Sequence, residues 1–118
     1  MTLGDAIDAV EETYEFMLAY AAQGRRTEDA DATGGIRASL KRADAGLAVI
    51  ADSAMPEAGA FLDVVRTDAG KASAAIRLVL AQPNISSQLI DNLNASIHLR
   101  ALLTDLFLLD EALKIHPA

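Results

Sequence analysis

Carboxylates are the side chains of this sequence whose number and spacing best suit chemistry. Glu12 and Glu15 stand three residues apart, and Glu28 and Asp31 repeat that interval. On a helix such an interval puts both side chains on one face. Four oxygen donors presented by facing elements suit a hard divalent cation such as magnesium. Asp5, Asp8 and Glu11 extend the acidic surface of the first segment. With 17 acidic residues against 10 Lys and Arg, a solvated acidic face favoured by a helix N-terminus is the simpler account of the same residues.

The spacing of Glu12-Thr-Tyr-Glu15 and Glu28-Asp-Ala-Asp31 resembles the ExxE…ExxD pattern of the all-helical MazG-type nucleotide pyrophosphohydrolases. The resemblance covers four residues. It implies a magnesium-dependent hydrolase in which Glu12, Glu15, Glu28 and Asp31 hold the metal against a triphosphate, and this is the alternative functional reading. In that family the second motif lies on a helix with apolar neighbours, whereas Glu28 and Asp31 precede Gly34-Gly35 in a polar stretch. Asp29-Ala-Asp31-Ala-Thr33-Gly34 is similar to the opening of an EF-hand loop, but its twelfth position is Leu40, where a bidentate Glu is needed. The stretch reads better as a polar turn whose Asp and Thr side chains cap the next helix.

The two histidines offer less. Neither His98 nor His116 follows a Glu by three residues, as the di-iron sites of helical bundles require. Leu99-Arg100-Ala101 after His98 lacks the Lys and Gly that follow the phosphoacceptor of histidine phosphotransfer bundles. His98 has Asn94 one turn before it and Asp105 two turns after, so a hydrogen-bonding role between apolar surfaces is expected. Without cysteine, thiol catalysis, zinc–thiolate sites and iron–sulfur clusters are excluded. The expectation is a protein with neither metal nor cofactor.

Such residues need a scaffold, and the apolar pattern describes an all-α one. Leu3, Ile7, Val10, Tyr14, Met17 and Ala21 alternate at four and three residues, as do Ile36, Leu40, Ala43, Leu47, Ile50 and Ala54. Ala58, Leu62, Val65, Ala69, Ala72, Ile76 and Val79 continue the alternation. Thr2 and Asp5 have capping-box spacing, Gly24 ends the first helix, and Pro56 suits the first turn of the third. The spacing predicts helices at about residues 3–22, 33–53, 56–81 and 86–113. A single-domain antiparallel up-down-up-down four-helix bundle follows from four helices on short links. Gly70, in a run of small residues, is expected to mark close approach of a neighbouring backbone.

The fourth segment carries more apolar residues than one face holds. At 100° per residue it shows one stripe through Ile90, Leu93, Ile97, Ala101, Leu108 and Ala112, and a second through Ala95, Leu99, Leu102, Leu106, Leu109 and Leu113. One stripe can serve the core, and the other asks for a partner. The leading expectation is a non-catalytic protein–protein interaction module, an adaptor, chaperone, immunity or regulatory subunit. It dimerises, or binds a heterologous protein, through Leu99, Leu102, Leu103, Leu106, Phe107 and Leu109.

A net charge of −7 opposes phosphate backbones, and the basic group Arg25, Arg26, Arg37, Lys41 and Arg42 is offset by Glu28, Asp29, Asp31 and Asp44, so nucleic acid is not an expected partner. No apolar run is long enough to span a bilayer, and Met1-Thr2-Leu3-Gly4-Asp5 lacks the features of a signal peptide. A cytoplasmic location is expected.

Overall fold

The computed structural model describes residues 1–28 and 35–116 and is all-helical over them. Its five α-helices are α1 (Leu3–Ala22), α2 (Ile36–Asp52), α3 (Phe61–Leu80), α4 (Ser87–Ala95) and α5 (His98–Leu113). A 3-10 turn at Pro56–Ala58 precedes α3. The single fourth helix expected from the sequence is therefore two helices, and the four-helix count is corrected to five. The most extensive helix contact joins α1 to α2, followed by α2 with α3, α3 with α5, and α1 with α4.

Local chemistry sets the helix ends. The Thr2 hydroxyl accepts from the Asp5 N–H, and the Asp5 carboxylate accepts from the Thr2 N–H, both at 3.1 Å. This capping box satisfies two backbone donors at the start of α1 and holds the Asp5 carboxyl below its usual range. After Ala22 the chain leaves the helix through Gly24, whose positive φ a side chain would oppose. Pro56 starts only the 3-10 turn, because Gly59 turns the chain at φ 57° and α3 begins at Phe61 instead of Pro56.

The C-terminal carbonyls of α2 and α3 each receive an arginine from a neighbouring helix. Arg66 of α3 donates to the Ala51 and Ser53 carbonyls at 2.9 and 3.2 Å. Arg37 of α2 donates to the Leu80 and Gln82 carbonyls at 2.7 and 3.0 Å. Helix ends left open by missing intrahelical donors are thus closed between helices, which couples each end to its neighbour's position.

The three predicted seams meet in one core. Ile7, Val10 and Met17 of α1, Ile36, Leu40, Ala43, Leu47 and Ile50 of α2, and Val65, Ala69, Ala72, Ile76 and Val79 of α3 are all buried. Leu40 is fully enclosed, as the rejection of a calcium ligand at that position required. Close approach occurs at Gly46 rather than Gly70. A Cβ on Gly46 would lie 2.9 Å from the Ala6 carbonyl oxygen, whereas one on Gly70 meets nothing within 4 Å. The expectation for Gly70 was wrong because the small residues around it do not all face the same way. Ala69 and Ala72 point inward and Gly70 points to solvent.

Candidate functional site

The break between α4 and α5 reorganises the two apolar stripes. Ser96 bonds back to the Leu93 carbonyl through both its N–H and its hydroxyl, and Ile97 then adopts a left-handed conformation at φ 67°. Helix direction and rotation change there. Before the break the first stripe is buried, through Ile90 and Leu93; after it the second is buried, through Leu99, Leu102, Leu106 and Leu109. Much of the apolar surplus therefore fills the core in two successive registers. The part left over is the continuation of the first stripe along α5, where Ile97, Ala101, Leu108 and Ala112 all face solvent.

Of the residues expected to form a partner surface, Leu99, Leu102, Leu103, Leu106 and Leu109 lie in the core of the chain itself, and they are not available to another body. Phe107 is 57% exposed. Leu108, outside the expected set, is 58% exposed and Ile97 62%. A shallow groove of about 340 Å³ runs beside this surface, lined by Ala58, Phe61, Leu108, Leu109, Ala112 and Leu113, with Glu57 at its edge. On the other flank Phe107, Arg100, Thr104, Leu103 and Tyr14 of α1 border a smaller hollow of about 120 Å³.

The carboxylates of the alternative reading are placed as follows. Glu12 is held by Arg42 of α2 at 2.6 Å on the surface, and Glu15 is exposed on α1. Glu28 accepts two bonds from Arg37, at 2.7 and 3.2 Å, and one from the Ile85 N–H at 3.1 Å. Asp31, like the EF-hand-like stretch from Asp29 to Gly34, lies outside the described residues. Among the described residues no group of three or more His, Asp or Glu side chains is disposed to hold a metal ion. Glu28 works as a structural anchor. Its N–H donates to Asn84 Oδ1, and Asn84 Nδ2 donates to the Arg26 carbonyl, tying the segment after α1 to the segment before α4. Ser87 continues that tie by exchanging bonds with Arg25 and donating to the Tyr20 carbonyl, while the Tyr20 hydroxyl donates to the Ile85 carbonyl.

The Arg37 guanidinium holds the Glu28 carboxyl below its ordinary value of 4.5, outweighing the opposing effect of burial. Both side chains are largely enclosed. Replacing Arg37 with methionine removes four bonds and leaves the Leu80 and Gln82 carbonyls unmet, so a loss of about 2 kcal/mol at neutral pH is expected in urea denaturation. Because Glu28's folded pKa is depressed, its contribution is present above its ordinary value and lost as pH falls through the folded one. The gap between R37M and wild type should narrow in acid.

Two further titratable groups stand where the sequence pattern did not point. Asp105 of α5 meets Asp68 of α3, and its Oδ2 is enclosed without a protein donor. Burial first, and the adjoining Asp68 second, push Asp105 up to about 7. His116, beyond the end of α5, has Nδ1 2.9 Å from Asp110 Oδ2, its N–H on Asp110 Oδ1 at 2.8 Å, and Nε2 3.1 Å from Asp8 Oδ1 of α1. Asp110 raises the imidazole above its ordinary 6.5, with Asp8 adding to the effect. Six residues separate Asp110 from His116, too many for a helical pair, so only the turn at Lys114 (φ 54°) brings them together.

No helix among the described residues is long and apolar enough to cross a membrane. No protein-family model, curated protein or solved structure matches the chain significantly.

Proposed function

We propose that the protein is a small helical interaction module that self-associates through the outward face of α5. Ile97 carries this reading. A β-branched residue in the left-handed region costs roughly 1–2 kcal/mol, and this one is also mostly exposed, so neither backbone preference nor burial within the chain accounts for it. A partner surface that covers it does. Ile97, Ala101, Leu108 and Ala112 fall within about 60° of one another on the helical wheel, opposite the core-facing leucines, and span about 22 Å of α5.

A second copy packed antiparallel on this stripe would set Ala101 near the partner's Leu108. The flanking Arg100 would then lie near the partner's Glu111, and the two-fold axis would repeat the pair. That charge match favours a second copy over an unrelated acidic protein. It leaves the Phe61 groove beside Leu108 to take up part of the interface.

Light scattering on the purified protein tests the reading. A concentration-dependent dimer is expected, and Leu108→Asp should abolish it while leaving helicity unchanged. Ile97→Gly separates function from folding: it should raise the stability of the monomer by about 1 kcal/mol, by relieving the left-handed side chain, and weaken the dimer. A monomer at high concentration for the wild-type protein would refute the proposal.

A further inference from the structure

Helix α5 is connected and held in an unusual way. Its N-terminal end leaves α4 at the Ser96–Ile97 junction, where a left-handed residue breaks the run of helical backbone. Its middle meets α3 through two carboxyl groups, Asp105 and Asp68, which repel one another unless a proton lies between them. Its far end meets α1 through an imidazole that is hydrogen-bonded to Asp110 at Nδ1 and has Asp8 of α1 within 3.1 Å of Nε2. Nε2 is enclosed without a hydrogen-bond partner, so Asp8 acts on the ring as a nearby charge, and a carboxylate on each side favours the doubly protonated imidazole.

We propose that α5 is docked by two proton-dependent clamps, Asp105 against Asp68 on α3 and His116 between Asp110 and Asp8 on α1, so that rising pH loosens the helix about the Ser96–Ile97 junction. The charged surroundings reinforce the direction. On α1, Asp8 and Glu11 adjoin His116, and Glu15 stands behind Glu11; burial and then Asp8 raise Glu11. On α5 itself, Asp110 adjoins His116, and Lys114, the nearby cation, is paired with Glu111 at 2.8 Å. Asp68 is the α3 group that faces Asp105, and the 3-10 turn adds Glu57 beside Leu108 and Ala112. When His116 loses its proton, Asp8, Glu11 and Asp110 are left together with only Lys114, already paired with Glu111, as a nearby cation. When the Asp68–Asp105 pair loses its proton, two half-buried carboxylates face each other.

Both clamps weaken in the same direction. Asp105's folded value, about 7, lies above its ordinary 3.8, so its contribution is complete below the lower value and is lost as pH rises through the upper. His116's folded value lies above its ordinary 6.5, so its contribution is complete below 6.5 and is lost as pH rises through the folded value. The Asp105 contribution is therefore lost by about pH 7, and the His116 contribution is lost above 6.5.

Amide hydrogen exchange on the full chain, corrected for intrinsic rates, reads the effect helix by helix. Between pH 6 and pH 8.5 the protection of α5 should fall about tenfold or more relative to α2, which carries none of the clamp residues itself. Asp105→Asn, which keeps shape and removes the charge, should restore much of α5's protection at pH 8.5, and His116→Gln should lower it at pH 6. A constant ratio of α5 to α2 protection across the range would overturn the proposal. So would an Asp105→Asn protein that loses as much α5 protection as wild type. If the protein dimerises through α5, the readings are to be taken at a concentration where light scattering shows monomer, which keeps this result separate from the association test.

Discussion

Alanine at Gly46 is expected to destabilise the protein, and alanine at Gly70 to stabilise it. Both glycines lie inside helices, where replacing glycine with alanine ordinarily gains about 1 kcal/mol. At Gly70 nothing stands within reach of the new Cβ, so a gain of about 0.5–1 kcal/mol should appear in full. At Gly46 the same atom would arrive 2.9 Å from the Ala6 carbonyl oxygen and 3.5 Å from its Cα. Backbone cannot step aside as a flexible side chain can. Helices α1 and α2 must part along their most extensive contact, which already encloses Ile7, Leu40 and Leu47. Overpacking of this kind costs about 1–3 kcal/mol after the helix-propensity gain is deducted. Urea unfolding of the two variants should therefore shift in opposite directions. Equal shifts would mean that the α1–α2 separation is not set at Gly46.

The second large effect separates two leucines on one helix. Leu106 is fully enclosed, and its truncation to alanine leaves a cavity among Leu102, Leu109 and the residues of α3, so a loss of about 2–5 kcal/mol is expected. Leu108 is two positions later and mostly exposed, and alanine there should change monomer stability by no more than about 0.5 kcal/mol. Its effect belongs to self-association. Denaturant titrations at low concentration give the first comparison, and light scattering gives the second. If L108A proved as damaging to the monomer as L106A, the register of α5 described above would be wrong.

Much of the helical scaffold is legible in the residues themselves. The Thr2–Asp5 capping box, the Gly24 exit and the heptad-like spacing of α1, α2 and α3 are local signals, and each acts over a few residues whatever the rest of the chain does. The break at Ser96 was legible in part. Before it, the second stripe contains only Ala95 among polar residues such as Gln88 and Asn92, and its large side chains begin at Leu99. The Asn94-Ala95-Ser96 sequence also supplies side chains that compete for backbone hydrogen bonds. A continuous wheel conceals both signals, because it assumes that rotation is uniform through the junction.

The candidate surface was legible only as a quantity. The sequence shows that the last segment holds more apolar area than one face can bury, but the assignment of particular leucines to a partner was reversed by the change of register at Ile97. The two titrating clusters were not legible at all. Asp105 and Asp68 stand on different helices, as do His116 and Asp8, and no spacing along the chain encodes such a meeting.

By itself the sequence determined an all-helical chain without cysteine, acidic overall, with three core seams and a surplus of apolar side chains near its end. These follow from residue type and from periodicity within one segment. Only the tertiary structure decided which half of each stripe is inside, which glycine bears a close approach, and which carboxylates and imidazole stand together. Those outcomes depend on the rotation and separation of whole helices, which are set by packing against neighbours distant in the chain.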